Sequence, residues 1–382
     1  MISNATTRFI FLIDSRGVIQ EKKDDSQRRH IDYAKNLSLR NSEYNFQVIS
    51  AIESQKKSDV IENFQQHYIK CNKRLSIKYV LKTVQIIRKT KPFRVVLIAG
   101  DPWEAAINTY IIANILKKIY NIKCLIQLQI HADICDKAWR RSSFTNKARY
   151  YLAYMSLTRA NQIRVVSEKL KNGVIKDFSV NESKIIIAPV ELNFPKKIEL
   201  SFHKDRPRSI GFAGRFHKDR SVNEFVEYIK KLDSVCNNFS VVLAGEGELL
   251  NDTLSRLSKI LPLNRLEYCG NLSGSEMQMF WRKIGVYVSL AKSESFGRSI
   301  REAAYLGVPI LATKSNGFDA LRELKCAWIR EVDLEDSPEV LHSQIEVMFS
   351  VETDGLVREI LVEEAEKFSH TLIDSWINLF DD

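Results

Sequence analysis

The residues best placed to do chemistry are two glutamates, Glu294 and Glu302, in the stretch SESFGRSIREAAYLGVP at residues 293–309. A Phe296-Gly297 break separates them, and the pattern predicts a helix beginning just after it. Ser299 and Glu302 fit an S-x-x-E capping box. Arg298 and Glu302 stand i,i+4 as a surface ion pair. Neither feature accounts for Glu294. Amides freed at a helix start, with the helix dipole behind them, make an anion site. A carboxylate one turn inward can accept both hydroxyls of a ribose, and Glu294 is placed to accept sugar hydroxyls. Upstream, GFAGRFHKDRS (211–221) ends a strand in Gly214 and continues with Arg215 and Arg220. Two guanidiniums flanking such a loop could clamp a diphosphate through charge-assisted hydrogen bonds. VVLAGEGELL (241–250) runs a strand into a Gly-Glu-Gly turn, but lacks the spacing of G-x-G-x-x-G or of a P-loop. A plain strand-to-helix turn explains it better.

Positioning these loops requires alternating strands and helices. A chain of 382 residues exceeds what one hydrophobic core usually serves, so two domains are expected. Strands are predicted at 8–13, 46–50, 93–99, 123–130, 163–167 and 184–189, with helices at 103–120 and 147–160 among them. A second series follows at 209–214, 239–245, 265–270, 286–290 and 309–313. Near-continuous apolar strands separated by helices mark a buried parallel sheet. The expected division is an N-terminal Rossmann-like domain over 1–190 and a C-terminal one over 205–365, joined by a polar, Pro-containing linker near 190–208. A last helix, 366–380, has an apolar face that must pack somewhere, and a return to the first domain is one solution. Ligands of open parallel sheets bind at the carboxyl ends of the strands, so two such domains would line a cleft with strand-to-helix loops.

The apolar and charged fractions, 45% and 27%, are those of an ordinary globular protein. Six scattered cysteines, with no CxxC and no tight Cys/His cluster along the chain, argue for reduced thiols and against a zinc site. No apolar run reaches bilayer length and the N-terminus is not a secretory signal, so a cytoplasmic protein is expected. The net charge of +10 is uneven: residues 137–176 are basic and residues 331–382 acidic. In 137–164, Lys and Arg interleave with Trp139, Phe144, Tyr150, Tyr151 and Tyr154, which suits an anionic membrane surface. No RRM, KH or zinc pattern supports a nucleic-acid partner.

Glu294 and Glu302, followed by Ala303-Ala304 and Gly307-Val308-Pro309, resemble the E-x7-E signature of retaining glycosyltransferases of family four. Gly214-Arg215…Arg220, the Ala244-Gly245-Glu246-Gly247 turn and the Tyr268-Cys269-Gly270 strand end fall in that family's order. The resemblance is strong over 205–330 and weaker over the first domain, where Gly100-Asp101-Pro102 and Gln129-Ile130-His131-Ala132-Asp133 carry it. It implies the α/β GT-B architecture of two facing Rossmann-like domains. The basic pair Arg215 and Arg220 would hold a diphosphate beside Gly214, Glu302 the ribose, and Glu294 the transferred sugar. Amides near Phe296, Gly297 and Arg298 would meet phosphate or sugar. The family most often has Lys-Gly where this chain has Arg220-Ser221. His131 would lie near the reaction centre, with Asp101 and Asp133 in the same region. The loop 13–30 has only Gly17 where many members have a Gly-Gly pair, so Ser26, Gln27 and Arg28 stand as acceptor-side candidates.

The activity so implied is retaining transfer of a sugar from a UDP- or GDP-linked donor to a hydroxyl, with no metal or other cofactor. The acceptor would be a glycan or lipid-linked glycan in polysaccharide, lipopolysaccharide or glycolipid synthesis, at the inner face of the membrane. A catalytically idle partner of another transferase and a sugar epimerase or phosphorylase on the same fold are the alternatives.

Overall fold

The computed structural model describes residues 7–19, 25–54, 56–61, 63–71, 75–190, 192, 206–272 and 274–381. Most of the predicted linker at 190–208 and part of the loop 13–30 lie outside the described residues. The chain forms two units, Met1–Glu191 with Lys367–Asp382, and Leu192–Glu366.

The first unit is built on β1 (Arg8–Asp14), β2 (Tyr44–Ile52), β3 (Asp59–Ile61), β4 (Phe64–Lys70), β5 (Arg94–Ala99), β6 (Lys123–Ile130), β7 (Gln162–Val165) and β8 (Ile185–Ile187). Their order is β3-β4-β2-β1-β5-β6-β7-β8. Neighbours pair in parallel except β3 with β4. Helices cover both faces, so Phe9 to Ile13 of β1 and Val95 to Ala99 of β5 are buried without alternation. The polar strands β3 and β4 were not predicted. Phe64-Gln-Gln-His-Tyr-Ile-Lys70 lies near the sheet edge, where Gln66 is buried through hydrogen bonds rather than apolar packing.

The last helix spans Leu356–Asp381, starting well before the predicted 366 because its first turns are charged. Its C-terminal part packs on the first unit. Leu372, Ile373, Trp376, Leu379 and Phe380 share a core with Ile10, Leu12, Phe46 and Val96. The Trp376 ring stacks 5.2 Å from Phe46, and its Nε1–H donates to Gln127 Oε1 at 2.9 Å.

The second unit holds β9 (Ser209–Ala213), β10 (Ser240–Ala244), β11 (Leu266–Tyr268), β12 (Val286–Ser289), β13 (Ile310–Ala312) and β14 (Ile329–Glu331). The order is β11-β10-β9-β12-β13-β14, parallel throughout. One apolar face receives the helix Val222–Asp233, whose Val222, Phe225, Val226, Ile229 and Leu232 recur at helical spacing. In each unit the chain starts in the middle of the sheet and builds outward in both directions. Strand order therefore reverses between β1 and β5 and between β9 and β12. The loops leaving those strands diverge and open a crevice at each switch point.

Candidate active site

The second switch point brings the two sequence motifs together. Arg220, at the end of the loop after β9, forms an ion pair with Glu294, in the loop after β12. Both are largely shielded, with side chains 29% and 12% exposed. The other Glu294 oxygen, Oε1, accepts the Gly297 amide at 3.2 Å, and its backbone carbonyl accepts the Gly317 amide at 2.7 Å. Glu294 thus also holds the loop that starts the helix Arg298–Tyr305. The predicted capping box does not form. Gly297 caps this helix at φ 72°, which puts Ser299 in its first turn, 2.8 Å from the Tyr287 hydroxyl. Arg298 and Glu302 do approach as the i,i+4 pair, at 3.6 Å. Phe296 is buried, with the Arg301 guanidinium 4.5 Å over its ring.

Arg215 leaves the same loop as Arg220 but its exposed guanidinium engages Asp219 at 2.8 Å. His217 holds the same aspartate at 2.9 Å. Ser221, which follows Arg220, sits in the left-handed region at φ 51°. This is where the family resemblance places a glycine. The Gly-Glu-Gly turn has a packing role: a Cβ on Gly245 would lie 1.9 Å from the Gly214 carbonyl oxygen. The two loops are joined by Gly214 N–H to Ala244 O at 3.0 Å and Phe216 N–H to Glu246 O at 2.9 Å. Gly214 and Arg215 are thereby fixed in place by β10.

The first unit has a corresponding loop cluster. Asp14, at the end of β1, is buried and accepts the amides of Val18 and Ile19 and the Ser50 hydroxyl, at 2.9, 3.0 and 2.8 Å. Burial raises its pKa against those bonds. Across the switch point Arg16 reaches Asp101 at 3.7 Å. Asp101 also accepts the Trp103 and Ala105 amides, each at 3.0 Å, so it organises the start of the next helix. Asp133 is buried in the loop after β6. Of the acceptor-side trio, Ser26 and Gln27 turn inward, Gln27 donating to Gln66 Oε1 at 2.8 Å, while Arg28 is exposed.

His131 lies just past β6 with its Nε2 3.1 Å from Gln129 Oε1. That oxygen also accepts from Arg164 Nη1 at 3.3 Å. Arginine only donates, so the amide must present its oxygen, and His131 must carry its hydrogen on Nε2. Nδ1 is left with a lone pair. Desolvation among the loops, then the charges of Arg164, Arg29 and His30, push the imidazole down to about 3. The residue is exposed, which weakens desolvation, but the guanidiniums of Arg164 and Arg29 act in the same direction.

Arg164 was not singled out from the sequence. It is buried within β7 and also donates to the carbonyls of Ala188 and Pro189 at 2.7 and 2.9 Å. A charge inside the apolar run IRVV was the available signal. The fold also assembles a group that chain spacing concealed: Cys236, His342 and Glu346 bring ligand atoms within 4.8 Å of one another. Arg208 already neutralises Glu346, donating to its Oε2 at 3.0 Å, and a cation would have to displace it.

Two doubly wound units of this kind define the GT-B fold. Sucrose-phosphate synthase of Thermosynechococcus elongatus shares it, with a TM-score of 0.71 at 12% identity over 98% of this chain and 99% of that one. The Anabaena protein HepE, in complex with UDP and glucose, matches with a TM-score of 0.66 at 13% identity over 97% and 99%. Such identities report fold alone. Residues 193–333 match the family model of glycosyl transferases group 1, a stretch that contains Arg215, Arg220, Glu294 and Glu302. The capsular polysaccharide biosynthesis glycosyltransferase CapM of Staphylococcus aureus is 24% identical over 63% of each chain. That match spans less than two thirds of CapM's own length.

Proposed function

We propose that this chain is a retaining glycosyltransferase that moves a sugar from a UDP- or GDP-linked donor to a hydroxyl of a glycan or lipid-linked acceptor. Cell-surface polysaccharide synthesis, on the cytoplasmic side of the membrane, is the setting this reading favours. The observation that carries it is the pairing of Arg220 with Glu294 at the β9/β12 switch point, inside the segment that resembles group 1 glycosyl transferases.

In this reading the donor diphosphate takes Arg220, with Arg215 at the loop mouth, and Glu294 turns to accept hydroxyls of the transferred sugar. Glu302 accepts the ribose hydroxyls. The bond from the anomeric carbon to the diphosphate oxygen breaks as the acceptor oxygen bonds on the same face. The acceptor proton leaves with the diphosphate. Charge develops on that leaving group, so preorganised guanidiniums and helix-start amides stabilise the transition state without a metal.

Thermal-shift screening with UDP- and GDP-linked sugars tests the proposal, because a ligand of the native state raises its stability. One nucleotide series should raise the midpoint, and the Arg220→Ala variant should lose that shift. No shift with either series would count against a donor site.

A further inference from the structure

The donor reading leaves unused the helix pair Lys137–Arg141 and Phe144–Leu157 of the first unit. On the second helix Phe144, Tyr151, Tyr154 and Met155 are 92%, 61%, 51% and 58% exposed. With Lys147 they fall at positions i, i+3, i+7, i+10 and i+11, which is one face of a helix. Ala153, Ser156 and Leu157 are buried on the opposite side. This helix is thus apolar towards solvent as well as towards its own core. Beside its N-terminus a pocket of about 500 Å³ is lined by Lys137, Arg140, Arg141 and Lys147 together with Ser143, Phe144, Tyr150 and Tyr151. No acidic residue lines it. Arg140 stacks 4.5 Å over Tyr150 and lies 3.9 Å from Asp177, whereas Lys137, Arg141 and Lys147 form no ion pair among the described residues.

We infer that this face docks on an anionic lipid bilayer, with the basic pocket receiving a lipid phosphate and Phe144, Tyr151 and Met155 entering the headgroup region. Charge complementarity selects that occupant. A protein partner would match the apolar stripe, but would need acidic groups confined to one end. A bilayer presents both an apolar boundary and a dense anionic layer at the depths this helix requires. The inference stands apart from the donor site, since docking needs neither nucleotide sugar nor turnover.

Flotation of the full chain with vesicles of phosphatidylcholine, with and without phosphatidylglycerol, is the test. The wild type should float with the anionic vesicles only, and less at high salt. Phe144→Asp, and separately Arg141→Ala with Lys147→Ala, should each lower partitioning by about tenfold or more. Lys78→Ala with Lys82→Ala removes equal charge from exposed positions on another helix, Ile77–Lys89, and should float as the wild type does. Unchanged thermal midpoints identify the variants as folded. Absence of flotation, equal flotation with neutral vesicles, or an equal loss in the Lys78/Lys82 variant would overturn the inference. Retention of single-stranded RNA without vesicle binding would also overturn it, and would reassign the patch.

Discussion

Arg220 and Glu294 are each other's counter-ion, so a diphosphate that reaches Arg220 competes with Glu294 for it. That competition separates a ligand site from a structural ion pair. Arg220→Ala should weaken nucleotide diphosphate binding by about 10–100-fold, the scale of lost charge-assisted hydrogen bonds. Glu294→Gln should bind the nucleotide as well as the wild type or better, because Arg220 loses its competitor, yet lose transfer. Titration calorimetry alongside a turnover assay measures both, and a parallel fall in binding for both variants would indicate a purely structural pair. His131 makes a different prediction. Its depressed pKa means the folded protein binds fewer protons than the unfolded chain below the ordinary histidine pKa. Its contribution is therefore present above about 6.5 and is lost as pH falls below that value. Denaturant midpoints at pH 7 and pH 5 should fall less in His131→Gln than in the wild type. Equal slopes would contradict the assignment.

At the scale of single elements, backbone conformation decides what the site loops can hold. Ser221 occupies φ 51° directly after Arg220 and its side chain makes no capping bond. Ser221→Gly should raise stability by about 0.5–1 kcal/mol, since a left-handed residue with a Cβ is strained there. Gly317 packs against the turn before the helix Arg298–Tyr305: a Cβ would sit 2.6 Å from Gly297 N. Gly317→Ala should cost about 1–3 kcal/mol. Gly100→Ala, where a Cβ meets nothing within 4 Å, should stay within about 0.5 kcal/mol. Urea unfolding checks all three. The buried strands were legible because runs such as RFIFLI and FRVVLIA are apolar on both faces. β3 and β4 were not, because Gln66 is buried by hydrogen bonding, which leaves no apolar pattern. The S-x-x-E pattern predicted a capping box, but the left-handed Gly297 starts the helix two residues before Ser299. Glu294 and Glu302 could be chosen from their types and order. Arg298 was legible as the partner of Glu302 from its i,i+4 spacing; the partner of Glu294 was not, because Arg220 lies far from it along the chain and meets it only through sheet order.

Across the whole molecule, each unit presents a switch point whose loops carry charged residues, and the C-terminal part of the last helix completes the core of the first unit. Trp376 anchors that part through Phe46 and Gln127. Trp376→Ala should cost about 3–5 kcal/mol, read as a lower denaturant midpoint; a loss below 1 kcal/mol would show that this end of the helix is not part of the core. The proposed function depends on a nucleotide-sugar donor site at the β9/β12 switch point. Titration calorimetry of UDP- and GDP-linked sugars against the wild type and Glu302→Ala tests it most directly. Saturable binding of one nucleotide series is expected, weakened by about tenfold or more in the folded variant if Glu302 is the proposed ribose acceptor. Binding of neither series, or undiminished binding by Glu302→Ala, would contradict it.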